Sequence, residues 1–303
     1  MSPEAQGRLL LKETAACLEK AGVQDSRREA RDLIRQALAG SGVPPRGGDI
    51  PGDWNLGSTQ REWLKDAIQK RVCGVPMAYI AGWTPFFNLE LEISPAVLDP
   101  RPETEELAER VVASLTGAAP AWIVDVGCGS GCLGLAVASV FREAKLFAVD
   151  ISSAALEVCR HNGVRWAAGR FAAWQGDLLG AVRRWPAGAG VVVANLPYVE
   201  RGDAINGRLA ANVLEHEPAT ALFPPVGEDV NALFGRFFRD VARLGVPQCG
   251  LWLEIGEGQG ASLSALAGDS LGVAAGVGLD RAGRERFLFA GCVQKPANAG
   301  FTG

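Results

Sequence analysis

The 303-residue sequence predicts an α/β fold, a mainly parallel sheet covered by helices on both faces and preceded by a small helical module. Three observations predict it. From about residue 120, near-continuous apolar runs alternate with segments of helical spacing, the pattern of strands buried on both faces. The first run empties into a glycine-rich turn that opens a helix, and a later run ends in Asn195-Leu196-Pro197-Tyr198. Before residue 76 only helical periodicity is found.

Taken in order, the elements follow from local pattern. A helix is expected from about Pro3 to Ala21, with Leu11, Ala15, Leu18 and Ala21 on one face. A second starts at Ser26, an expected N-cap, and carries Ala30, Leu33, Ile34, Ala37 and Leu38. A Gly- and Pro-rich loop fills Gly40 to Gly57. Thr59 and Glu62 then form a capping-box pattern ahead of Trp63, Leu64, Ala67, Ile68 and Val72. Residues 1–75 thus read as a helical domain. Residues 76–100 read as a β-hairpin connector, with Tyr79-Ile80 and Phe86 to Ile93 strand-like. Pro102, followed by Glu103, Glu105 and Glu106, is a helix-start signature. Strands are then expected at Trp122–Val126, Leu146–Asp150, Val191–Ala194, Leu251–Ile255 and Arg286–Ala290. Helices fall at Leu133–Phe141, Ala154–Asn162, Asn231–Leu244 and Ala261–Ala267. This second domain spans 101–295, and 296–303 form a flexible tail.

Composition narrows the function. With 48% hydrophobic and 21% charged residues the chain is of the soluble globular kind. No apolar run approaches the ~20 residues that span a bilayer, and the N-terminus lacks the apolar core of a secretion signal. Seven scattered cysteines (Cys17, Cys73, Cys128, Cys132, Cys159, Cys249 and Cys292) suggest reduced thiols and a cytoplasmic location. With only two histidines in the chain, little remains to complete a zinc site around Cys128 and Cys132, so no metal is expected. A net charge of −4 argues against a general nucleic-acid coat.

The loop Asp125-Val126-Gly127-Cys128-Gly129-Ser130-Gly131 opens directly into a helix. Its glycines let the backbone turn sharply and bring N–H groups close to a ligand. Asp150, with Ile151 beside it, ends the next strand and is placed to bind the two hydroxyls of a ribose. Further on, Asp177 could accept from an adenine amino group while Leu178 packs on the ring. A dinucleotide site is the rival, since Gly129-Ser130-Gly131-Cys132-Leu133-Gly134 satisfies G-x-G-x-x-G. The acid Asp125, two residues before the first glycine, instead resembles the first motif of Rossmann-like methyltransferases and favours S-adenosylmethionine. The tetrapeptide at 195–198 fits that order. It sets a side-chain amide, two carbonyls and an aromatic ring at the carboxyl end of a strand, able to accept both hydrogens of a planar –NH2 group.

Nearly the whole chain resembles the HemK/PrmC-type N5-glutamine methyltransferases of peptide chain release factors. The segments that carry the resemblance are Gly74 to Ile80 with Gly82, Ser94 to Leu98, Arg101-Pro102-Glu103-Thr104-Glu105 and the glycine loop. It continues through Glu217-Pro218, Leu253-Glu254-Ile255-Gly256 and Asp280 to Arg286. It implies a class I methyltransferase fold whose N-terminal domain helps engage the release factor. It also implies transfer of methyl from S-adenosyl-L-methionine to the glutamine of the Gly-Gly-Gln motif, leaving S-adenosyl-L-homocysteine. Asn195, Leu196, Pro197 and Tyr198 would hold the amide, Glu217 and Pro218 would shape its pocket, and Arg101, Glu103 and Thr104 would close over the cofactor. The family tetrapeptide is Asn-Pro-Pro-Tyr, so Leu196 departs from it while keeping the carbonyl. Two alternatives share the chemistry: a ribosomal-protein glutamine, and adenine-N6 methylation of a flipped base.

Overall fold

The computed structural model describes residues 3–40, 54–202, 206 and 210–291. The expected loop between residues 41 and 53, Cys292 and the tail from 296 lie outside the described residues. The chain divides into two compact units, Met1–Trp83 and Thr84–Gly303.

The first unit holds helices α1 (Pro3–Lys20), α2 (Ser26–Ala39), α3 (Ser58–Val72) and α4 (Met77–Ala81). Leu18, Leu33, Ile34 and Leu64 meet in its core, all at most 2% exposed. Arg71 ties α3 to α2 through two bonds to the Glu29 carboxylate, at 2.6 and 3.1 Å. Two expected caps are displaced. The residue capping α2 is Asp25, at φ 54°, and Ser26 is already helical. Helix α3 begins one residue before Thr59, so its third residue is Gln60, whose Oε1 accepts from the Gly57 N–H at 2.8 Å. Glu62 lies too far into the helix for that bond. Tyr79 and Ile80 are not in a strand. Pro76 starts α4 and Gly82 stops it at φ 77°, while Met77 and Ile80 pack on the helical core and Ala78 is buried. A single helical turn satisfies that core where an extended segment would point alternate residues away.

A hairpin of β1 (Trp83–Phe86) and β2 (Leu89–Glu92), all but Trp83 in the second unit, leads to α5 (Pro102–Ser114). Arg101 is the N-cap of α5, Pro102 its first residue, and Glu103 and Glu105 lie in its first turn, where acids suit the helix dipole. There follow β3 (Trp122–Val126), α6 (Cys132–Val140), β4 (Lys145–Asp150), α7 (Ser153–Trp166), β5 (Phe171–Gln175) and β6 (Gly190–Asn195). After β6 come α8 (Ala211–His216), α9 (Ala219–Leu222), α10 (Val230–Leu244), β7 (Leu251–Glu254), α11 (Gly260–Leu271), β8 (Ala275–Leu279) and β9 (Glu285–Ala290).

The seven-stranded sheet has the order β5-β4-β3-β6-β7-β9-β8. The first five strands of that order are parallel; β9 runs antiparallel to β7, and β8 to β9. Hydropathy does not announce β8, whose core is Gly276-Val277-Gly278. Gly276 makes room for the Phe289 ring, which a Cβ there would approach to 2.6 Å, and Phe289 in turn stacks on Trp252. Phe234, Phe237 and Phe238 of α10 are fully buried against Val192, Leu251 and Leu253. Strand order reverses beside β3, between β4 and β6, and an open α/β sheet binds its ligands at the carboxyl ends of such strands.

Candidate active site

A cavity of about 540 Å³ opens at that edge. Gly127, Cys128, Gly129 and Ser130 after β3, Asp150 and Ile151 after β4, and Asp177 and Leu178 after β5 line one side. Asn195, Leu196 and Pro197 after β6 line the other, with Thr104 of α5. Of the other residues singled out in the sequence, Gly131, Arg101, Glu103, Tyr198, Glu217 and Pro218 do not line it.

On the glycine-loop side, carboxylates hold backbone. Asp150 Oδ2 accepts from the Gly129 N–H at 2.9 Å and Oδ1 from the Ser152 N–H at 2.8 Å. Burial pushes its pKa up, and these backbone donors pull it back. Asp125, 2% exposed, accepts from the Gly134 N–H at 2.9 Å, and burial carries its pKa to about 7. Gly131 caps α6 at φ 81°, where a Cβ would meet Cys159 Sγ at 2.9 Å, so only glycine fits the turn. The buried Asn162 of α7 donates from Nδ2 to the Ser130 carbonyl at 2.9 Å and to the Glu92 carbonyl at 3.0 Å. The loop is thereby pinned from below by a residue that its own motif does not include. Asp177 Oδ2 is paired with Arg236 Nη1 at 2.6 Å.

On the tetrapeptide side, a carboxylate holds side chains. Asn195 Nδ2 donates to Thr104 Oγ1 at 3.1 Å, and the Thr104 hydroxyl donates to Glu254 Oε2 at 2.6 Å. The Tyr198 hydroxyl donates to Glu254 Oε1 at 2.9 Å, and the Tyr198 carbonyl accepts from Gln259 Nε2 at 2.8 Å. Glu254 is 1% exposed; burial raises its pKa, while the two hydroxyls and Arg286 lower it. Glu254 and Asn195 are register partners on β7 and β6. The family resemblance includes Glu254 but assigns it no role. The available signal was its position, an acid at a strand end like Asp125 and Asp150. Arg101 Nη2 contacts both oxygens of the buried Glu217, at 2.6 and 2.7 Å, and Arg284 Nη2 reaches Glu103 at 3.0 Å. Asp99, beside this pair, is raised to about 6 by burial.

Leu196 joins the two sides. It is 3% exposed, and its Cδ2 lies 3.0 Å from where a Cβ on Gly127 (φ 66°) would stand.

These residues fit an adenosyl cofactor. The volume is that of a small-molecule site. Asp150 has used two of its roughly four acceptor positions, which leaves it able to take ribose hydroxyls. Ile151 and Leu178 offer apolar walls.

Residues 104–223 match the family model described as methyltransferase small domain, and residues 10–82 match the PrmC N-terminal domain. A release factor glutamine methyltransferase of Nitratidesulfovibrio vulgaris is 32% identical over 230 residues, covering 75% of this chain and 76% of the relative. One from Xylella fastidiosa (strain 9a5c) is 32% identical over 254 residues, covering 81% and 85%. Among solved structures, the hMettl16 catalytic domain in complex with MAT2A 3′UTR hairpin 1 superposes with a TM-score of 0.51 at 12% identity, covering 82% of this chain and 85% of that one. That last likeness is one of fold. No helix among the described residues is long and apolar enough to cross a membrane.

Proposed function

The chain belongs to the release factor glutamine methyltransferases, S-adenosylmethionine-dependent enzymes, and on that premise we propose how its residues carry the transfer to a release-factor glutamine. The acceptor is the side-chain amide nitrogen of the glutamine in a Gly-Gly-Gln loop. Such a nitrogen is a poor nucleophile, because its lone pair is delocalised into the carbonyl. S-adenosylmethionine supplies a methyl group made electrophilic by its sulfonium. The chain's own residues supply position. The observation that carries the reading is that Asn195 spends Nδ2 on Thr104, which leaves Oδ1 as the amide atom to meet the cavity. Oδ1 and the Leu196 carbonyl accept the two amide hydrogens, aim the nitrogen along the line of attack and stabilise the positive charge that develops on it. Alignment of this kind can lower a barrier by up to ~7–11 kcal/mol. The methylated nitrogen then loses its proton to water, without a dedicated base.

Asp150 would take the ribose hydroxyls, the glycine loop would pack against the cofactor, and Ile151 and Leu178 would wall the adenine, with Asp177 placed for its amino group. Arg236 pairs with Asp177 and would hold that carboxylate in place. The ion pairs Arg101–Glu217 and Glu103–Arg284 brace the rim rather than touch the cofactor. The Tyr198 ring backs the amide pocket, its hydroxyl anchored on Glu254. The helical unit Met1–Trp83, which precedes the methyltransferase unit, engages the release factor.

The test is transfer of labelled methyl to a purified class I release factor, to its Gly-Gly-Gln variant with the glutamine changed to alanine, and to DNA and RNA. Label is expected on the intact factor alone. Equal labelling of the alanine variant, or labelling of nucleic acid, would overturn the reading.

A further inference from the structure

We infer that Glu254, acting through the Thr104 hydroxyl, decides which atom of the Asn195 amide faces the cavity, and is therefore a positioning residue for the transfer. This rests on the reading that Asn195 must present an acceptor to an –NH2 group. A threonine hydroxyl has one hydrogen to give and lone pairs to receive. Glu254 Oε2 lies 2.6 Å from Thr104 Oγ1, the short distance of a hydroxyl bonded to a charged oxygen. A carboxylate has no hydrogen to offer, so the single hydrogen of Thr104 goes to Glu254. At its other neighbour Thr104 can then only accept. Asn195, 3.1 Å away, must turn its NH2 to Thr104 and its Oδ1 outward. An amide can be flipped by half a turn with little change in shape, so its orientation is set by the bonds around it. Here that choice traces back two bonds to one carboxylate.

The parts around Glu254 are arranged to keep it an acceptor. The Tyr198 hydroxyl donates to its second oxygen, and the Arg286 guanidinium lies 5.8 Å from the Tyr198 ring centre. Glu254 and Thr104 are 1% and 2% exposed, so water does not compete for these bonds. Register pairing places Glu254 beside Asn195, and the first turn of α5 delivers Thr104 to bridge them. If the oxygen facing Thr104 became an N–H donor, Thr104 would be free to donate to Asn195 Oδ1. The amide would then turn its own NH2 to the cavity, donor against donor.

Turnover and cofactor affinity of the full-length chain, with purified release factor and S-adenosylmethionine, test this. Glu254→Gln should lower kcat by about a hundredfold, the scale of one lost preorganised group, while the dissociation constant for S-adenosylmethionine stays within about threefold. Thr104→Val should behave likewise, and Thr104→Ser, which keeps the hydroxyl, should return kcat to within about threefold of the parent. Because the two residues act along one path, the Glu254→Gln/Thr104→Val double variant should be hardly slower than either single one. Undiminished kcat in Glu254→Gln, failure of serine to rescue, or multiplicative losses in the double variant would each overturn the inference. If Glu254→Gln does not fold, the valine and serine variants at Thr104 decide it. A parent enzyme that fails to methylate release factor at all instead sinks the underlying reading, before any variant is compared.

Discussion

The two walls of the cavity use the same device on different material. At the carboxyl ends of β3 and β4, Asp125 and Asp150 accept backbone N–H groups of the glycine loop and of the two helix starts. After β7, Glu254 accepts the hydroxyls of Thr104 and Tyr198 and through them reaches Asn195. The first arrangement fixes a surface against which a ligand can lie. The second fixes the direction in which one polar atom points. A surface tolerates a displaced atom better than a direction does, so the walls should separate in kinetics: one in cofactor affinity, the other in turnover.

The largest expected effect breaks the second wall. Asn195→Ala should reduce turnover by about 10²–10³-fold while calorimetry finds S-adenosylmethionine binding nearly intact; a parallel loss of affinity would merge the two walls. Next, Asp150→Ala removes the acceptor for the ribose hydroxyls together with the bonds that hold the Gly129 and Ser152 N–H groups; a hydrogen bond to a charged group is worth ~1.5–3 kcal/mol. Cofactor affinity should fall by at least about tenfold, and kcat at saturating cofactor should recover most of the parent value. Recovery failing at any cofactor concentration would show that this wall also directs the chemistry.

Asp125 sharpens the comparison through pH. Burial carries its pKa to about 7, against 3.8 for a free side chain. Between those values the folded chain holds a proton that the unfolded chain has released, so this group's contribution to stability declines as pH rises and levels off above about 7. The slope is about 1.4 kcal/mol per pH unit. Asp125→Asn keeps an acceptor for the Gly134 N–H but cannot ionise, so its unfolding free energy should gain on the parent from pH 4 to 7. Equal slopes in denaturant titrations of the two proteins would place the ionisation elsewhere. The smallest effect is expected at Leu196→Pro. It should cost about 1 kcal/mol of stability by thinning the packing over Gly127, and change turnover less than about threefold.

The first wall was far more legible in the sequence than the second. Glycines spaced along a strand-to-helix turn, with an acid ending the next strand, are local patterns with local causes. The apolar runs of β3, β6 and β7 were equally plain, because strands buried on both faces leave no polar interruption. The relay from Glu254 to Asn195 joins residues 91 and 150 positions apart, which no periodicity encodes. Arg101 and Glu103 pair with Glu217 and Arg284, partners drawn from distant segments that no local pattern identifies. Tyr79 and Ile80 looked strand-like because aromatic and β-branched residues favour strands, but the φ of Gly82 and the helical core beneath them decided otherwise. Strand β8 carries no hydropathy signature because Gly276 serves the ring of Phe289 rather than any pattern of its own.

Leu196 has a consequence for ancestry. Its side chain occupies the space above Gly127 that a proline would fill differently, so the second position of the tetrapeptide and the floor of the glycine loop form a matched pair. Gly127 must stay glycine whichever residue lies above it, because its φ of 66° disfavours any side chain, so in related chains the tetrapeptide's second position should change while the glycine beneath it does not.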